Sequence, residues 1–144
     1  MEPLVFEFDV RCTVEHAFEV WTAETSCWWP ADHSFSGEKG LTVQFEPRVG
    51  GRIFERTTGG EEYDWGEIVV WEPPVRLVYV WHLGSDRSDA TEVEVGFASS
   101  GDETAVRIEH RGWERLGAGA EQRKANNQQG WGAVLPLFQS ACRR

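Results

Sequence analysis

The sequence predicts a single α+β domain in which a curved antiparallel sheet of six to seven strands grips a long C-terminal helix, with short helices after the first strand. Three observations carry this. Alternation of apolar and polar residues with period two fills the middle of the chain from Leu41 to Arg111, broken only by short turns. Helical spacing appears briefly after a first alternating segment near the N-terminus. It returns over a much longer stretch at the C-terminus. The 144 residues fit one domain, 1–144, which can bury roughly 70% of the surface its unfolded chain exposes.

Leu4 to Arg11 alternates, with Leu4, Phe6 and Phe8 on one face and Val5, Glu7 and Asp9 on the other, which predicts a strand. Thr13 is an N-cap candidate, and Val14, Ala17, Phe18 and Trp21 after it fall on one helical face. Thr25 to Trp29 adds a second short helix, ended by Pro30, and Ala31 to Gly40 reads as a loop. Leu41–Glu46 and Gly51–Arg56 flank Pro47 and Gly50–Gly51, a hairpin signature. Gly59–Gly60 makes the next turn. Glu62–Trp71 and Arg76–His82 are strands separated by Pro73–Pro74, and Gly84 to Ser88 is turn material. Thr91–Phe97 and Thr104–Arg111 flank Ser99–Gly101, another hairpin. Such short connections favour one continuous antiparallel sheet.

Gly119 to Cys142 predicts the long helix, with Trp131, Val134 or Leu135, and Phe138 on one stripe. Gly130, Gly132 and Pro136 are poor helix formers, so a kink or a close backbone approach is expected there. Only this helix is large enough to cover one face of the sheet. A helix laid over a curved sheet leaves space beneath it, hence an expected cavity.

Composition narrows the function classes. Net charge is −10, from 24 acidic and 14 basic residues, which repels phosphate backbones and anionic lipid surfaces. Neither a nucleic-acid partner nor a membrane is expected. Cys12, Cys27 and Cys142 are odd in number and lack paired spacing, so reduced thiols in a cytoplasmic protein fit better than a disulfide framework. The N-terminal MEPLVFEFDV has no basic-then-apolar run of a signal peptide, and no apolar stretch reaches the length of a membrane span. His16, His33, His82 and His110 show no ligand spacing, no phosphate-cradling glycine loop precedes a helix, and no G-x-S-x-G elbow occurs. No cofactor or metal is expected. The eight tryptophans stand out: each is a large side chain with one N–H donor, suited to a core or to the wall of an apolar cavity.

Three stretches are more specific. They are Trp65–Gly66–Glu67–Ile68 leading through Trp71–Glu72–Pro73–Pro74 to Arg76–Leu77–Val78–Tyr79–Val80–Trp81, then Thr104 to Trp113, then Gly130–Trp131–Gly132 with Val134, Leu135 and Phe138. Together with Phe18–Glu19–Val20–Trp21–Thr22, Trp28–Trp29–Pro30 and Gly50–Gly51–Arg52, they make nearly the whole chain resemble the homologues of the activator of heat-shock protein 90 ATPase. That family lies within the SRPBCC, or START-like, superfamily. The resemblance implies the helix-grip fold. Members of the superfamily bind lipids, sterols, hormones or polyketides, some catalyse cyclisations, and others assist a chaperone, so the fold does not choose among these. The eukaryotic co-chaperones carry a further N-terminal domain absent here, which counts against a chaperone partner.

Alternation also suggests which side chains face inward. Val106, Ile108 and His110 share one face of their strand and Arg107, Glu109 and Arg111 the other, so His110 points to the cavity, either as a core histidine or as a ligand-orienting group. Leu77, Tyr79 and Trp81 share a face, and the family pattern puts them inward. Glu55 falls on the inner face with Gly51 and Ile53 unless a bulge turns it outward. An inward Glu55 needs a partner such as His110 or an arginine. If Glu55 and His110 met, they would form an acid–base pair with perturbed pKa values.

The expected ligand-binding set is therefore Trp65, Trp81, His110, Trp113 and Trp131, bordering a common cavity, with Glu55 beside them. The function expected first is binding of a hydrophobic or aromatic small molecule. A cyclase- or hydrolase-like enzyme using His110 and Glu55, and a co-chaperone-like module, are the rivals. Oligomeric state stays open, a homodimer included.

Overall fold

A computed structural model describes residues 1–143. The strands are β1 (Leu4–Val10), β2 (Thr42–Phe45), β3 (Arg52–Arg56), β4 (Glu62–Glu72), β5 (Arg76–Trp81), β6 (Thr91–Ser100) and β7 (Glu103–Arg111). The helices are α1 (Val14–Thr22) and α2 (Ala120–Cys142). The strands form one antiparallel sheet in the order β1-β7-β6-β5-β4-β3-β2. Consecutive strands β2 to β7 are neighbours because each connection is too short to cross another strand. β1 closes the other end by pairing with β7, Phe6 opposite Ile108.

The sheet bends where its ladder is interrupted, between Ile53 and Phe54 and between Ile68 and Val70. At Gly66 the neighbouring strand comes so close that a Cβ would fall 2.0 Å from the Val80 carbonyl oxygen. Only glycine fits there.

The inner face carries the apolar half of each strand: Leu4, Ile53, Trp65, Leu77, Tyr79, Val93, Val95, Val106 and Ile108 are all buried. The outer face is charged. Arg111 pairs with Glu92, Glu94 and Glu109, and Arg76 with Glu72 and Glu94. Phe54 lies on this face too, covered by the Arg52 guanidinium 4.0 Å from its ring centre.

α1 begins at Thr13, whose hydroxyl accepts from the His16 N–H, and buries Ala17, Phe18, Val20 and Trp21. Phe18 meets the rings of Trp71 and Phe97 at one end of the sheet. α2 lies over the inner face, with Phe138 against Phe8 and Trp131 against Phe6 and Trp21. Truncating one of these buried aromatics to alanine costs about 3–5 kcal/mol. α2 runs without interruption through Pro136. The close backbone approach expected at Gly130 and Gly132 is absent, because a Cβ on either would meet nothing within 4 Å. Among the described residues, no helix is long and apolar enough to cross a membrane.

Candidate functional site

The connection between α1 and β2 decides what remains of the space under α2. A single 3₁₀ turn, Thr25–Cys27, delivers Trp28 and Trp29 to the inner side. The Trp28 indole donates to the Val20 carbonyl at 2.7 Å and fills the gap between Trp21 and Phe138. The Trp29 indole donates to the His33 carbonyl at 2.9 Å, which holds the following turn, Ala31–His33, over the open end of the sheet. The Trp29 ring then packs against Trp65, Trp81 and Trp131, at 5.2, 5.9 and 6.5 Å between centres. Beyond these rings lies a pocket of about 270 Å³.

Trp29, Trp81, Trp131, Leu83 and Val134 give the pocket its apolar wall, and His33, Ser34, Asn126 and Asn127 its polar rim. Both Trp29 and Trp131 spend their N–H on protein partners, so they offer a ligand only ring surface. The asparagines are half-spent. Asn126 accepts through Oδ1 from Gln122, which leaves its amide N–H₂, and Asn127 donates to the Arg123 carbonyl, which leaves its Oδ1. The rim therefore keeps amide N–H donors of both asparagines and the Asn127 Oδ1 acceptor. Gly130 faces the same space with no side chain to occupy it.

Of the residues expected to share a cavity, Trp81 and Trp131 line this pocket. Trp65, Trp113, His110 and Glu55 lie behind it and are almost wholly buried. Alternation aims Trp65 and His110 inward, but Trp29 and Trp131 themselves fill the room in front of them.

His110 is locked from both sides. The Trp131 indole, which can only donate, gives its proton to Nδ1 at 3.0 Å. Nε2 must then carry the ring proton, and it donates to the Thr91 hydroxyl at 2.6 Å. That hydroxyl reaches on to the Trp81 carbonyl, and the Trp113 indole caps the His110 carbonyl at 2.9 Å. Burial, with the Arg123 charge as a smaller cause, pushes the His110 pKa down to about 3. The ring is neutral and committed, so it serves as a core hydrogen-bond hub rather than as a base.

Glu55 points inward but does not meet His110, because β4, β5 and β6 separate their strands. Three of its four donors come from the loop after the Ala31–His33 turn, and the fourth is Trp65 on β4. Oε1 accepts from the Phe35 N–H at 2.6 Å and the Trp65 indole at 2.8 Å, and Oε2 from the Ser36 N–H and hydroxyl at 3.1 and 2.6 Å. Burial alone would raise its pKa, but these four donors outweigh it and hold the carboxylate below its ordinary range. Glu55 thus anchors the loop that forms one side of the pocket.

Alternation and helical spacing did not single out Trp29, His33, Asn126 and Asn127. The signal available for Trp29 was its place between Trp28 and Pro30. Nothing in the local pattern marks the other three.

Two larger hollows lie elsewhere. One of about 530 Å³ is a groove on the charged outer face around Gly96, Arg76 and Arg107. Another of about 450 Å³ runs between α1 and the Pro73–Pro74 turn. Neither combines an enclosed aromatic wall with free polar groups from two elements. Among the described residues, no three His, Cys, Asp or Glu side chains gather as a metal site would need.

Comparison with known proteins adds the family. The family model for Activator of Hsp90 ATPase homolog 1-like protein matches residues 11–142. Among solved structures, the anthrahydroquino-gamma-pyrone synthase Txn09 is 37% identical, with 85% of this chain and 84% of that chain covered and a TM-score of 0.61. CalC, a self-sacrificing resistance protein from Micromonospora echinospora, is 25% identical over 98% of this chain and 94% of that one, with a TM-score of 0.71. The Aha1 dimer from Colwellia psychrerythraea, 15% identical over 99% and 96% with a TM-score of 0.68, shares the fold. No curated protein matches the chain.

Proposed function

The chain belongs to the family of Activator of Hsp90 ATPase homolog 1-like proteins, and within it we propose that this member binds a flat aromatic small molecule in the pocket between Trp81 and Trp131. The observation that carries this is the division of labour in the wall. The Trp29 and Trp131 indoles have their N–H groups already spent and offer only π surface, while Asn126 and Asn127 keep amide donors and an acceptor at the rim. That pattern suits a fused-ring molecule with hydroxyl or carbonyl groups on one edge. The name of the 37%-identical relative, which describes a fused-ring product, supports the same class. The ion pairs of Arg76 and Arg111 with Glu92 and Glu94 make the middle of the outer face a solvated, charged surface, which supports small-molecule binding over a co-chaperone role.

A hydroxylated anthraquinone is the probe. It should quench tryptophan emission saturably, and at 100 times its Kd it should raise the unfolding temperature by roughly 8 °C. Gly130→Leu places a side chain in the open space of the pocket and should weaken binding at least tenfold with the fold intact. Unsaturable quenching, or full affinity in Gly130→Leu, would reject the site.

One observation favours an enzymatic reading as well. His33 borders the pocket, and its Nδ1 lies 3.1 Å from the Asp32 carboxylate, the arrangement that orients an imidazole for proton transfer. If the bound molecule is turned over, His33→Ala should abolish turnover while leaving the quenching titration nearly unchanged. Loss of both together would assign His33 to binding alone.

A further inference from the structure

The two ends of the chain meet along a zipper of contacts. Phe8 packs edge-on against Phe138 with ring centres 6.2 Å apart. One step further, the Gln139 side-chain amide donates to the Asp9 carbonyl at 3.4 Å. Three residues on in both segments stand Cys12 and Cys142, whose side chains are near enough to perturb each other. The Thr104 hydroxyl donates to the Cys12 carbonyl at 2.8 Å and fixes that backbone from the β7 side. Cys142 is 2% exposed and Cys12 is half-buried, so a reagent reaches the pair through Cys12. The third thiol, Cys27, is exposed and stands apart.

From this geometry we propose that Cys12 and Cys142 form an intramolecular disulfide by exchange with a small-molecule disulfide such as oxidised glutathione. The Cys12 thiolate attacks one sulfur of the small disulfide and expels one thiolate. The Cys142 thiolate then attacks the Cys12 sulfur of the mixed disulfide and expels the second. Two protein thiols lose two protons and two electrons, and one small disulfide becomes two thiols. The second step needs no large movement, because the two side chains are already neighbours where the end of α2 meets the segment after β1. Burial pushes both thiol pKa values up, so exchange runs faster in mildly alkaline buffer. The bond would close a loop spanning most of the chain and pin the last turn of α2 beside the end of β1, which restricts the unfolded ensemble strongly.

The test uses the full chain carrying Cys27→Ser, which removes cross-linking between molecules. After incubation with oxidised glutathione, the protein is denatured, alkylated with iodoacetamide and mapped by mass spectrometry. A peptide pair joined through Cys12 and Cys142, lighter by two hydrogens, is the expected product. The unfolding temperature should rise by about 10 °C and return on reduction. Adding Cys12→Ser, at the half-buried position, should remove the rise without disturbing the core. Glutathione stalled on Cys12, or Cys142 alkylated as fully as in untreated protein, would overturn the proposal.

Discussion

His110 shows how a single side chain can look like a catalyst and be a fastener. Its two ring nitrogens join α2, through Trp131, to β6, through Thr91, and the bond from Trp131 requires the neutral ring. The folded pKa of about 3 lies below the unfolded value of about 6.5, so the unfolded chain binds the extra proton between those limits. Stability from this group is fully present above about pH 6.5 and is lost as pH falls toward about 3. The loss should reach about 2 kcal/mol between pH 7 and pH 5. Denaturant titrations at those two pH values measure it directly. His110→Gln, whose amide can accept from Trp131 and donate to Thr91, should flatten the dependence. Glu55 acts in the same direction at lower pH: its folded pKa is depressed, so its contribution is present above the ordinary carboxylate value and is lost as pH falls through the folded one. An unchanged pH profile in His110→Gln would place the acid sensitivity elsewhere.

At the level of elements, two glycines that look alike in sequence have opposite roles. Gly66 sits where β4 and β5 nearly touch, and a methyl group there would collide with backbone that cannot yield. Gly130 sits in α2 facing open space, where a methyl meets nothing and the helix gains a better helix former. Gly66→Ala should therefore destabilise by several kcal/mol, about 3 or more, and Gly130→Ala should stabilise by about 1 kcal/mol. Chemical denaturation of the two single variants checks both signs at once. Local pattern made the strands, their antiparallel order and the extent of α2 legible, because burial on one face imposes a period on each element. Inward orientation of Trp81, His110 and Trp131 followed from the same periods. Which of them would face empty space did not. That depended on Trp29, carried in by a non-periodic connection, and on distances between elements far apart in sequence.

On the scale of the whole molecule, the pocket is a seam between parts that otherwise have little to do with each other. One side is the Ala31–His33 turn, anchored through Trp29 and, a few residues on, through Glu55. The other is the middle of α2, and the floor is the end of β5 with Leu83 and Gly84. The loop meets the helix through ring contacts, Trp29 with Trp131 and Trp28 with Phe138, rather than through a hydrogen-bonded ladder like the one that joins the strands. A ligand wedged between them would add a further link, and ordering two segments together lowers the frequency of local opening in both. Amide hydrogen exchange with and without the hydroxylated anthraquinone should therefore slow in three separate stretches, 31–36, 82–85 and 126–134. The paired interior of β6 and β7 should not change, since amides in a central ladder paired on both sides are expected to open only with global unfolding. Protection confined to α1 and the Pro73–Pro74 turn would move the ligand to the groove there. Protection of the Gly96 region would move it to the outer face. Slowing in all three predicted stretches, lost together in Gly130→Leu, would tie the effect to one molecule held in the seam.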